Sequence, residues 1–428
     1  MIDVGTGYEQ IVSSRVRPKV EPYISAFYKD KNGDIKSVDW NASKIKNLKF
    51  KRSIDPIGRE LPYYELSWEE IYRGAVDEYN HPTLYKGVGA YSSVDFQFIQ
   101  SSVFSPSLRR VSEIYSTWKD TIQNYSSWKH IFNLPKTWKE IMEKRESTFS
   151  ASFPTMFLTA TPVVEKNVIK WTARDVFHFL NLSQSGTFKK DENEHALDFI
   201  TRILSFEIEK APDGELKNYL NNTLSSLADW KEEMYIVPYT FSYDGLTKDL
   251  MLHCLNVWNM SFKPTDGFLG VEKINYDDLN VMSSFSKDIM YEPPIYTRGK
   301  DVSQYKYVGY DESGNGTNFT TFQEDVIGDS FEEDNPLFPH ENPNEFGSQA
   351  KERRNIILNY FRKDNGSLEF TSLSDLRVEP LDFVEVETNF VEENGKNLMK
   401  RGIVVSVEFE YAGYLKQKTI VHEYNEIY

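Results

Sequence analysis

Helical periodicity is confined to the middle of this chain, while both ends alternate apolar and polar residues, and this restricts the fold to β-rich ends around a helix-containing centre. In the centre, Leu197, Ile200, Ile203 and Leu204 are spaced for one helical face, with Asp191 as a candidate cap. Pro212-Asp213-Gly214 interrupts, and Leu216, Leu220, Leu224 and Leu227 resume the spacing, so residues 191–232 predict two short antiparallel helices. A strand-like segment, 235–239, follows. Leu246, Leu250, Cys254 and Val257 then predict a further helix facing inward, and Pro264-Thr265-Asp266-Gly267 turns the chain into an extended segment over 268–271.

The ends read as strands. The turn Asp30-Lys31-Asn32-Gly33-Asp34 is a hairpin signal, a strand runs from Ile45 through Leu48 and Phe50, Asp55-Pro56-Ile57-Gly58 breaks it, and residues 65–69 resume it. Near the C-terminus, residues 383–387 and 404–411 alternate, and Ala412-Gly413 turns the chain into a last strand over 414–421. The expected class is α+β, mostly β. Five regions follow: an N-terminal β-domain (1–105), a Trp/Lys-rich insertion or subdomain (106–165), a mixed helix and hairpin subdomain (166–308), an acidic stretch (309–354) and a C-terminal β-domain (355–428). Between Gly309 and Phe346 there are ten acids and no Lys or Arg, a composition that predicts a long surface loop or linker.

The formal charge of -16 in 428 residues opposes binding to phosphate backbones or anionic lipid. No segment approaches the run of about 18 apolar residues that spans a bilayer, so no membrane anchor is expected. Met1-Ile2-Asp3-Val4-Gly5 lacks the opening of a signal peptide, which predicts synthesis in the cytoplasm. The one cysteine, Cys254, excludes an intramolecular disulfide framework and a thiolate zinc site, and reads as a core residue. Seven dispersed His residues give no metal-ligand spacing, and His195 on a helical segment reads as packing or surface.

No zincin helix, phosphate-cradling loop or nucleophile elbow occurs, so neither an enzyme nor a cofactor nor a metal is expected. Asp311-Glu312-Ser313-Gly314-Asn315-Gly316 opens like a calcium loop, but its twelfth position is Phe322 where a bidentate Glu is required, which favours a Gly/Asn turn. Asp325, Asp329 and Asp334 are the acids left to a looser cation site. Trp118, Trp128 and Trp138, each followed by Lys, stand ten residues apart. A period of ten leaves successive side chains roughly 80° apart on a helix, so they form no clean stripe. They read as anchors of a small subdomain or subunit contact, with stacking on sugar as the sharper option.

Several stretches, in order, resemble the hub and tail-associated proteins at the distal end of bacteriophage tails. Residues 11–21 resemble the family's basic lead into a first barrel strand, and Asp55-Pro56-Ile57-Gly58-Arg59-Glu60-Leu61-Pro62 a loop between early strands. Thr172-Ala173-Arg174-Asp175 is similar to a "TARD" segment, 237–274 to a helix and hairpin unit, and Leu376-Arg377-Val378-Glu379-Pro380-Leu381-Asp382-Phe383 to a closing "LEPGD" strand, with Leu381 before Asp382 where Gly is usual. Tyr411-Ala412-Gly413-Tyr414 matches the bend of the hairpin that follows. The resemblance implies two β-barrel or β-sandwich tail-hub domains with an intervening helix-containing subdomain. It implies a homotrimer in the virion tail that joins the tail tube or distal tail to the spike or fibres. DNA would pass through its lumen without specific binding during ejection into the host cell. The alternatives are a receptor- or carbohydrate-binding tail protein using Trp118, Trp128 and Trp138, a distal tail or connector ring protein, and a wall hydrolase fused to a tail component.

Overall fold

The computed structural model describes residues 19–104, 145–180, 186–190, 194–229, 241–273, 280–300, 302–311, 313, 315–322, 328–361, 366–391 and 397–424. It is mostly β with helices in the central region, as the sequence predicts.

The first strands are β1 (Lys19–Lys29), β2 (Ile35–Asn41), β3 (Ile45–Ser53) and β4 (Tyr63–Ile71). Between β1 and β2 the expected turn forms: Gly33 takes φ 86°, and the Asp30 carboxylate accepts from the Asn32 and Asp34 amides. Strands β5 (Ser93–Phe104), β6 (Arg145–Leu158), β7 (Val163–Glu165) and β8 (Val168–Arg174) follow. Residues 145–158, read with the Trp/Lys-rich region, thus enter the sheet; alternating Ala151, Phe153 and core-facing neighbours give β6 a buried face.

After β9 (Gly186–Lys190) come α1 (Ala196–Lys210) and α2 (Glu215–Leu227), the expected pair of helices. The α1 cap is His195, whose Nδ1 accepts from the Leu197 amide; Asp191 lies outside the described residues. Next are β10 (Phe241–Gly245), α3 (Thr247–Asn256), and the hairpin of β11 (Met260–Pro264) and β12 (Leu269–Lys273). Leu250, Cys254 and Val257 are buried as expected, but Leu246 precedes the first turn of α3 and is exposed. Strands β13 (Val281–Phe285) and β14 (Ile295–Arg298) return to the large sheet.

The acidic stretch departs from expectation. It holds β16 (Gly316–Phe322) and β17 (Asp329–Pro339), which flank β15 (Val302–Tyr310) in a three-stranded sheet. Composition hid this because the few apolar residues suffice: Leu337 and Phe338 are buried, Phe319 and Phe331 pack on the same core, and the ring of Tyr307 stacks on Phe338 at 5.0 Å. The candidate calcium loop is the turn between β15 and β16, where Asp311 Oδ1 accepts from the Ser313 and Asn315 amides. Last come α4 (Gln349–Tyr360), β18 (Gly366–Leu373), β19 (Phe383–Val391), β20 (Asn397–Tyr411) and β21 (Leu415–Glu423), with Gly413 at φ 84° in the final turn.

The two ends of the chain meet in one sheet of 14 strands. Its main path, β14-β18-β21-β20-β3-β4-β8-β6-β5-β1-β2, joins the C-terminal and N-terminal halves where β20 pairs antiparallel with β3. Among the described residues this path is open, with β14 and β2 at its ends, and not a closed ring. Two cores result. One fills the sheet's inner face, including Trp40, Phe50, Trp68, Phe96, Phe153, Trp171 and Phe409. The other unites α1, α2, α3, α4, the hairpin of β11 and β12 and the small sheet.

Candidate functional site

The most charged buried region lies where these cores meet, and it is built from segments far apart in sequence. Position 52 falls on the inward face of β3, because Leu48 and Phe50 are buried at the same parity. Arg52 is therefore fully buried, under the rings of Phe50, Phe153 and Phe409 at 5.5, 5.0 and 5.7 Å. Its Nη2 donates to the Val378 carbonyl at 2.7 Å and its Nη1 to Glu379 at 3.3 Å. Glu379 also lies 3.8 Å from Lys263 on β11, which pairs with Glu272 of β12 at 2.9 Å. Glu379 thus ties the large sheet to the hairpin of the helical core.

The electrostatics follow from burial and pairing. Burial pushes the Glu379 carboxyl up, but Arg52 and Lys263 outweigh it and hold the group below its ordinary range. Burial likewise works against the Lys263 ammonium, and Glu379 and Glu272 overcome it. Asp382 lies beside this pair; burial pushes its carboxyl up to about 6. The turn carrying it places Leu381 at φ 76° and seats the Asp382 carboxylate on the Glu379 amide at 2.8 Å. Leu381, which stands where Gly is usual, thus takes the left-handed conformation, and the Asp382 carboxylate holds the turn by accepting from the Glu379 amide.

Two further segments singled out in the sequence pass from one core to the other, at Ile54 to Ile57 and at Ala173 to Val176. Asp175, directly after β8, accepts from the Tyr64 amide at 2.6 Å and the Phe177 amide at 3.0 Å, and burial pushes its carboxyl up to about 7. In the loop after β3, Asp55 accepts from the Ile57 and Arg59 amides, and Arg353 of α4 donates to the Ile57 carbonyl at 2.8 Å while pairing with Glu333. The loop is so close to α3 that a Cβ on Gly58, at φ 69°, would stand 2.4 Å from Asn256 Oδ1.

On the outer face, the same strands carry charges of alternating sign in register. Arg174 on β8 faces Glu65 on β4, Glu65 faces Lys51 on β3, Lys51 faces Glu408 on β20, and Glu408 faces Lys418 on β21. Arg174 and Tyr63 both donate to Glu65 and hold its carboxyl low against the opposing effect of burial. Lys49 reaches Glu408 at 2.6 Å, and this contact raises the lysine. The row crosses the line where the two halves of the chain join. Beside it a groove of about 560 Å3 is walled by Lys49, Glu69, Lys170, Glu410 and Tyr414.

Trp118, Trp128 and Trp138 lie outside the described residues. Cys254 is buried in the helical core, which raises its thiol. Among the described residues no group of three or more His, Cys, Asp or Glu is placed to hold a metal, and no helix is long and apolar enough to cross a membrane. The ion pairs of Arg52 and Arg353 carried no sequence signal: each is one of several basic residues in its element, and its acid lies in a separate segment.

No protein-family model matches the sequence, and no curated protein does. Solved structures do align with it. The tail protein from Neisseria meningitidis MC58, at 9% identity, aligns over 94% of this chain and 96% of its own, with a TM-score of 0.47. A chain of the Francisella PdpA-VgrG complex aligns at 12% identity over 96% of this chain and 53% of its own, with a TM-score of 0.44; this chain spans about half its length. An E. coli type VI secretion component, described as structurally similar to T4 phage tail proteins, aligns at 7% identity over 90% and 74%, with a TM-score of 0.40. A tail protein and a type VI secretion component are thus among the solved structures this chain is similar to.

Proposed function

We propose that this chain is a non-enzymatic structural component of a phage-type tail tip or baseplate hub, joining the tail tube to a spike or fibres. The observation that carries the reading is convergence. Residues 172–175 and 376–383, which separately resemble tail-hub segments, lie at the buried junction around Arg52, Lys263 and Glu379, and residues 55–62, a third such segment, pack on the adjoining helical core. A junction of this kind couples the helical core rigidly to a sheet built from both ends of the chain. Load on one is passed to the other without a moving part.

In the assembled state the chain acts as a homotrimer in the virion tail, with the tube, distal tail and spike or fibre proteins as partners. The division into β-domains at 1–105 and 355–428, around the regions between them, belongs to this proposal. DNA passes through the lumen without specific binding, because a chain of charge -16 repels a phosphate backbone. Cryo-electron microscopy of the assembled particle tests this: a threefold particle with an acidic lumen is expected, and a basic lumen or a particle without a channel overturns it.

A further inference from the structure

Strand β16 lacks the charges and prolines that keep sheet edges from pairing. It lies at one end of the three-stranded sheet, hydrogen-bonded to β15 alone among the described strands. Its sequence, Gly316-Thr317-Asn318-Phe319-Thr320-Thr321-Phe322, has no charge and no proline, in a chain where 27% of residues are charged. The other outer strands among those described are short or carry charge or proline. β2 carries Lys36 and Asp39, and β14 has four residues and ends in Arg298. β17 holds Glu332, Glu333, Asp334 and two prolines, and the short β13 is tied on its flank by Ser283 to Asp375 at 3.0 Å. Meanwhile Asn318 and Thr320 are exposed on β16, and Phe322 is 69% exposed.

The sequence of β16 also complements itself. Antiparallel pairing of two copies about Phe319 sets Phe319 against Phe319, Asn318 against Thr320, and Thr317 against Thr321. Each is a favourable cross-strand pair, and no like charges face each other. Phe322 then lies over Gly316 of the second copy, the arrangement in which an aromatic ring covers a strand glycine. The acids of β17 do not oppose this. Two copies of that strand would lie about 24 Å apart, five strand spacings, beyond the screening length of roughly 8 Å at physiological salt.

We propose that β16 is a self-pairing edge through which two copies of this chain associate about a twofold axis, merging two three-stranded sheets into one of six strands. The occupant of the edge is a second copy, because the contact is isologous and its register follows from the palindromic order of side chains. The inference does not depend on the tail assignment.

The test uses the full chain at about 0.15 M salt, where repulsion between two acidic bodies is screened. The mass of the Thr320→Lys variant, which puts a charge at the centre of the edge, is expected to be half that of the wild type, with an unchanged circular dichroism spectrum. Independently, an Asn318→Cys/Thr320→Cys double variant should form an oxidised dimer on a non-reducing gel, because these positions face each other across the twofold; buried Cys254 does not compete. The same two cysteines at Ser37 and Asp39 of β2 set the background. A wild-type mass equal to that of a folded Thr320→Lys variant overturns the proposal, as does cross-linking at β16 no greater than at β2.

Discussion

Arg52 is the residue on which the two cores depend most. It is buried without solvent, donates to a backbone carbonyl and to Glu379, and is stacked among three phenylalanine rings. Removing it takes from Glu379 a buried cationic partner and from the Val378 carbonyl its 2.7 Å donor, so Arg52→Ala should lose about 3–5 kcal/mol in denaturant unfolding. Asp382 supplies a test by pH. Its carboxyl is pushed up to about 6 from an ordinary 3.8, so the folded state binds its proton more tightly than the unfolded one. The contribution is present in full below the ordinary value and is lost as pH rises through about 6. Asp382→Asn does not titrate. Its stability relative to the wild type should therefore rise between about pH 4 and pH 7, by on the order of 1–3 kcal/mol, and level off on both sides. Opposing slopes from His253 and His422, both lowered by burial, cancel in that difference.

Among the elements, the pairing of β3 with β20 decides whether the two ends of the chain behave as one body. On its outer face Glu408 is flanked by Lys51 and Lys418 in register. Glu408→Lys sets like charges side by side and should cost about 1 kcal/mol, and adding Lys51→Glu should recover part of it in a double-mutant cycle. Strictly additive costs would show that the row is not coupled. The strands themselves were legible from alternation, as in residues 45–50 and 383–387, and the helices from the spacing of Leu197 to Leu227. Period-two patterning cannot say which strand pairs with which, so the join of residue 52 to residue 407 was not readable. The small sheet was missed for a related reason. Asp329, Glu332 and Asp334 are exposed and Glu333 pairs with Arg353, while Tyr305, Tyr307, Leu337 and Phe338 supply the burial, and composition averages the two together. The junction was only half visible: the segments containing Asp175 and Glu379 stood out by resemblance, whereas Arg52 and Lys263 looked like ordinary residues of strands.

At the scale of the whole molecule, the charged junction joins the helical core to the sheet built from both ends of the chain, and β16 is the edge left without charge or proline. A part of this kind works by shape and copy number. Stoichiometry is therefore the most direct measurement, made by native mass spectrometry on the Thr320→Lys variant so that pairing at β16 is set aside. A mass of three times 49.9 kDa, held across a wide range of concentration, is the predicted result. A species that stays monomeric, or a ring of six, would contradict it.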